Sequence, residues 1–126
     1  MNYVDELYYK TSYGGLEIPD AELLQALKKA SQHIDILTYN RIVGKGITAL
    51  TEFQQDIVRE VCCQLAEFEY NNSDVLENIL QSYGINGVNM SFGQSWNVHI
   101  QSGVAIRTDI YMLLCQTGLC QASLGV

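Results

Sequence analysis

The chain has 126 residues, with 14 acidic and 7 basic side chains, a net charge of -7, and 48% of its residues hydrophobic. That length fits one domain, and the apolar share suffices for one core, which excludes disorder along the whole chain. The acidic balance argues against a free-standing nucleic-acid binder, which carries a basic face.

The start, Met1 to Lys10, is acidic and polar and lacks the basic and apolar regions of a secretory leader. Residues 1–18 read as an irregular N-terminal arm crowded with Tyr3, Tyr8, Tyr9 and Tyr13, with a turn at Gly14-Gly15. Its tyrosines can dock on this subunit or on a neighbouring one.

Helices are expected over 19–80. Pro19 suits a first helical turn, and Asp20 and Glu22 complement the positive helix end. Leu23, Leu24, Leu27, Ala30, Ile34 and Leu37 recur at three-to-four spacing as one apolar stripe, with Lys28 and Lys29 off it. This helix is expected to end near Tyr39 to Arg41, followed by a flexible connection at Val43-Gly44-Lys45-Gly46.

Thr51 and Gln54 match a capping box at the start of a second helix. Phe53, Ile57, Val61, Leu65 and Phe68 are its expected inward stripe, and Asn71-Asn72 its end. Glu52, Asp56 and Glu60 are spaced by four and share one face. Ser73 caps a short third helix through Leu80.

Residues 81–101 read as a hairpin or long loop. Asn86-Gly87 lies between two short runs, the strongest short-range hairpin signal, with Tyr83, Ile85, Val88, Met90 and Phe92 as the larger side chains. Gly93 to Asn97 is loop-like and holds the sole tryptophan, Trp96. A last helix is expected over 102–118, starting near Ser102 or Gly103, with Ile106, Ile110, Leu113 and Leu114 as its stripe and Gly118 as its C-terminal cap. Residues 119–126 form a tail without a charged side chain. The fold class is therefore mainly α: a small bundle of three to four helices with a β-hairpin or long loop before the last one.

Nothing marks a reaction. His33 and Asp35, two apart on a helix, point to different faces. Cys115 with His99 is the pairing that a nucleophile and base would need, but no nucleophile elbow or oxyanion loop accompanies it. Cys62 and Cys63 are adjacent and Cys115 and Cys120 lie five positions apart, neither being the spacing of a zinc knuckle. All four are expected to be reduced thiols packed as small apolar groups. No Gly-rich phosphate loop is present. No catalytic residue, metal ligand or cofactor is expected.

The half from Asn78 to Val126 carries only Arg107 and Asp109 as formal charges. The uncharged part of it, Asn78 to Ile106, is filled with Gly, Asn, Ser and Gln, so no membrane span is expected. Interface centres are depleted in charge and enriched in aromatic residues and Met. Tyr83, Ile85, Met90, Phe92 and Trp96 are therefore the candidate interface. The residues also fit a small cytoplasmic regulator that binds one protein partner through the 82–96 segment.

The order of segments carries a resemblance. A Tyr/Gly-rich start is followed by IPDAELLQALKKASQHIDILTYNRI, LTEFQQDIVREVCCQLAEF, SYGINGVNMSFG and YMLLCQTGL. Over about residues 8 to 120 this resembles the small head-tail connectors, or head completion adaptors, of tailed bacteriophages and prophages. The resemblance implies a mostly helical virion protein without enzymatic activity, made in the bacterial host cytoplasm and located at the head-tail interface. It implies a ring of about a dozen copies beneath the portal protein. Such a ring extends the DNA channel, which DNA crosses without specific binding, and presents a surface to the next head completion or tail protein. An acidic wall would repel phosphate and let DNA slide. Glu52, Asp56, Glu60 and Glu67 are the candidates for that channel face.

Overall fold

The computed structural model describes residues 3–77, 88–92 and 96–120. The protein is mainly helical, with a small antiparallel hairpin before the last helix. In chain order come α1 (Glu6–Lys10), α2 (Asp20–Leu37), α3 (Arg41–Lys45), a 3-10 turn (Ile47–Ala49) and α4 (Glu52–Asn71). A helical segment covers 73–77. Strands β1 (Val88–Phe92), β2 (Trp96–Gln101) and β3 (Val104–Arg107) precede α5 (Thr108–Cys115).

The N-terminal arm docks on the rest of the same chain and contains a helix. Asp5 caps α1, its carboxylate accepting from the Tyr8 amide at 2.7 Å. Tyr3 donates its amide to Ser31 Oγ at 3.0 Å and its hydroxyl to Asp35. Tyr9 and Tyr13 both donate hydroxyls to Glu67, at 2.7 and 2.8 Å. The arm is thus tied to α2 and α4 by tyrosine hydroxyls on carboxylates. The expectation of an irregular segment missed α1 because five residues carry too little periodicity to register.

The centre of the molecule is α2 packed on α4. Leu23, Leu27, Ala30, Ile34 and Leu37 of α2 meet Ile57, Val58, Val61, Leu65 and Phe68 of α4 in one buried cluster. Leu24 and Phe53 do not belong to it, with 52% and 60% exposure. Both satisfied the helical spacing but lie beyond the edge of the contact. The capping box at the start of α4 is as expected: Thr51 Oγ1 accepts from the Gln54 amide at 3.1 Å, and Gln54 Oε1 accepts from the Thr51 amide at 3.0 Å. Thr51→Ala should therefore lower stability by about 1 kcal/mol. Urea unfolding measures it, and an unchanged midpoint would show the box to be dispensable.

Helix α2 stops at Leu37, earlier than expected. Thr38 Oγ1 donates back to the Ile34 carbonyl at 2.8 Å, and Tyr39 and Asn40 take positive φ of 56° and 59°. The following residues then form α3 rather than a flexible connection, and its end is Gly46 at φ 83°. A bulky residue such as Tyr39 at positive φ is held there only by its surroundings.

The sheet has the order β1-β2-β3, antiparallel throughout, with Met90 opposite Val98 and His99 opposite Ile106. This corrects two expectations. Trp96 and Asn97 begin a strand instead of ending a loop. Ser102 and Gly103 form a two-residue loop between β2 and β3, with φ of 52° and 82°, instead of opening the last helix. Positive φ at both central residues is the signature of a type I′ hairpin turn. Serine suits a helix N-cap as well as a turn, so Ser-Gly left the choice open to the residues that follow. Those residues, Val104 to Arg107, form β3, and α5 begins only at Thr108. The Asn86-Gly87 turn lies outside the described residues. Val98, His99 and Ile100 are all buried, as are Val104, Ala105 and Ile106, so both faces of the β2-β3 pair are covered.

Candidate functional site

The candidate interface residues fall in two groups. Tyr83 and Ile85 lie outside the described residues. Met90 and Phe92 sit two positions apart on β1, and therefore on one face of it, and Trp96 opens β2 directly opposite Phe92. The register thus sets Phe92 against Trp96 at one end of the hairpin, with Met90 at the middle of β1 opposite Val98. Strand β1 reads VNMSF and carries no charge. Among the described residues it pairs on one side only, with β2.

The four acidic candidates are not equivalent. Glu52 and Asp56 are exposed near the start of α4, Asp56 lying 3.8 Å from Arg59. Glu60 is half-buried and accepts from Gln64 at 2.7 Å. Glu67 is engaged through both oxygens by Tyr9 and Tyr13. Its carboxylate thus anchors the arm. Nothing in the spacing of α4 distinguishes Glu67 from the others, because its partners lie far away in sequence.

The thiols belong to the packing. Cys62 and Cys63 are buried in α4, Cys120 is buried, and Cys115 is half-buried. Cys62 Sγ lies 3.4 Å from Ser31 Oγ, beneath the point where the Tyr3 amide binds the same hydroxyl. Burial pushes the Cys62 thiol up to about 11. Burial and then the bond to Glu67 push the Tyr9 hydroxyl up to about 12. Raised values favour the neutral forms in the fold, whereas the unfolded chain ionises near 9 and 10. The stability these groups contribute is fully present below pH 9 and is lost as pH rises through 11 and 12. Urea midpoints measured from pH 8 upward should therefore fall in the alkaline range. Midpoints that stay level to pH 11 would overturn this assignment.

His99 lies in a cluster that joins three parts of the chain. Its ring stacks on Tyr111 with centroids 4.0 Å apart, and its Nε2 is 3.1 Å from Gln101 Oε1. Tyr111 donates its hydroxyl to the same Gln101 oxygen at 3.3 Å, and Gln101 Nε2 donates to the Tyr39 hydroxyl at 3.3 Å. Arg41 stands over the Tyr39 ring at 5.1 Å and donates Nη1 to the Leu119 carbonyl at 2.9 Å. The arrangement ties the reversal after α2 to β2 and to the end of α5. Tyr111, which stacks on His99, lies four positions before Cys115 on α5. Burial followed by the neighbouring Cys115 thiol pushes the Cys120 thiol up, away from a reactive thiolate.

His33 is partly packed. Its Nδ1 pairs with Glu69 Oε2 across the gap between α2 and α4, and Glu69 is 9% exposed. Their separation of 36 positions put this pair beyond sequence reasoning. No helix among the described residues is long and apolar enough to cross a membrane.

No family model, curated protein or solved structure matches the chain.

Proposed function

We propose that the protein is a structural assembly subunit, a head-tail connector that forms a ring beneath a phage portal, lengthens the DNA channel and joins head to tail. The observation that carries this reading is the charge-free strand Val88–Phe92, which among the described residues pairs on one side only. A strand without Lys, Pro or an inward charge lacks the usual protection against pairing with another chain. In a subunit built for a ring, strand addition uses the same backbone groups for assembly.

Two further features support the reading. Glu52 and Asp56 keep exposed carboxylates on α4, which suits a wall past which DNA slides. The arm docks on its own α2 and α4, so the subunit is complete before it assembles. The order of sequence segments points the same way. A closed ring requires a head-to-tail interface, with one patch of each subunit meeting a different patch of the next.

The test is co-expression of the full chain with the portal protein of its own genome, followed by electron microscopy of the purified portal. A ring of this chain on the portal is the expected result. Met90→Lys and Phe92→Lys should abolish that ring while leaving the thermal midpoint of the free chain nearly unchanged. A bare portal with the wild-type chain, or rings that survive both substitutions, would overturn the reading. A complex of one copy with a single host protein would favour a regulator instead.

A further inference from the structure

Tyr39 stands in a conformation that its side chain disfavours, and burial does not explain it. Its φ is 56°, followed by 59° at Asn40, yet Tyr39 is 42% exposed. Asparagine tolerates the left-handed region, whereas a bulky aromatic residue there is an outlier. Strained residues of this kind cluster at functional sites. The ring is fixed from two sides. Gln101 Nε2 donates to its hydroxyl at 3.3 Å, and the Arg41 guanidinium lies 5.1 Å from its centroid. Tyr111, half-buried, joins through Gln101, and the exposed Ile36 and Val43 flank the chain reversal in sequence. Tyrosine and arginine are among the residue types that carry most of the binding energy at protein interfaces.

We propose that this surface, centred on Tyr39, is the receiving face of the head-to-tail contact, taking the Phe92–Trp96 end of the hairpin of a second copy. The inference rests on the assembly reading above and names the partner of its strand. Charge selects the occupant. A chain of net charge -7 repels its own copies wherever their carboxylates meet. The Tyr39 surface holds no acidic side chain, and Arg41 forms no ion pair among the described residues. The carboxylates nearest to it in sequence are engaged elsewhere, Asp35 by Tyr3 and Asp109 by Arg107. Strand Val88–Phe92 is free of charge as well. These are therefore two surfaces on which copies can meet without repulsion. They also lie where a ring needs them. Strand β2 runs from Trp96, opposite Phe92, to Gln101, so the two surfaces sit at opposite ends of one strand, about 17 Å apart. Different faces at opposite ends let each copy give one and receive the other.

The test is photo-crosslinking of the full chain with p-azidophenylalanine in place of Tyr39, which it resembles in shape. A mixture of isotope-labelled and unlabelled copies is added to the purified portal protein of its own genome and irradiated. Mass spectrometry should find the crosslink on segment 88–96 of a different copy. Tyr39→Gly permits the same backbone and should lower the share of ringed portals at least about tenfold. Should that variant fail to fold, Val43→Glu decides. It places a carboxylate at an exposed position, so it should spare the thermal midpoint and lose the ring to the same extent. Wild-type rings whose crosslinks fall on other segments or on the portal overturn this inference and leave the assembly reading standing. Full rings with Tyr39→Gly or Val43→Glu do the same. Portals left bare by the wild-type chain overturn the assembly reading and this inference with it.

Discussion

Phe68→Ala should lower the stability of the protein by about 3–5 kcal/mol, whereas Phe53→Ala should change it by less than about 0.5 kcal/mol. Both residues belong to the same apolar stripe of α4 by spacing, and both are phenylalanines. Phe68 is 5% exposed, inside the cluster formed by α2, α4 and the sheet, and its truncation leaves a cavity the surrounding side chains cannot fill. Phe53 is 60% exposed in the first turn of α4, where the core contact has not yet begun. Alanine there also has the better helix propensity, which offsets the little contact that is lost. With total stability of about 5–15 kcal/mol for a domain of this kind, the Phe68 change removes a large share. Urea unfolding of the two variants beside the wild type measures the difference. Equal losses would mean that the N-terminal turn of α4 is packed after all.

Gly15→Ala should lower stability by about 2–4 kcal/mol, although it adds one methyl group. A Cβ at this position runs into the ring of Tyr9, with the hydroxyl oxygen at 2.7 Å. The ring cannot step aside cheaply. Tyr9 is 1% exposed, donates to Glu67 at 2.7 Å and accepts from the Ile18 amide at 3.3 Å. Overpacking costs about 1–3 kcal/mol, and each hydrogen bond strained by the shift adds about 1 kcal/mol. The attribution is checked by a double-mutant cycle with Tyr9→Leu, which removes the obstructing end of the ring. In that background Gly15→Ala should cost much less. If the cost is the same with and without the ring, the contact with Tyr9 is not its cause. Gly14→Ala is the useful contrast, since that position has open space but φ of 76°. Its penalty comes from the backbone and should be insensitive to Tyr9.

The candidate sites were legible to different depths. The strand residues Met90, Phe92 and Trp96 could be singled out because charge depletion is a property of composition along the chain. The pairing of Phe92 with Trp96 and of Met90 with Val98 needed the register, which does not follow from the Asn86-Gly87 signal. The carboxylates of α4 could be placed on one face by spacing, yet the engagement of Glu67 by Tyr9 and Tyr13 spans more than fifty positions. Glu69 gave no signal at all. A glutamate on a helix reads as solvated until a second helix covers it, and the pairing with His33 exists only once α2 and α4 have packed.

By itself the sequence determined the mainly helical class, the stripes of α2 and most of α4, the capping box at Thr51 and the presence of a hairpin before the last helix. Each of these rests on interactions within a turn or two of the chain, where periodicity and capping chemistry act directly. The tertiary structure alone decided the ends of the apolar stripes, leaving Leu24 and Phe53 outside the core, because burial depends on where the opposing helix stops. It decided that Ser102-Gly103 is a turn, because covering both faces of β2 and β3 by the rest of the molecule outweighs the helix start the same residues could form. It also decided the long-range polar contacts of the arm and of Glu69, because a buried carboxylate takes its partner from whatever element the packing brings beside it.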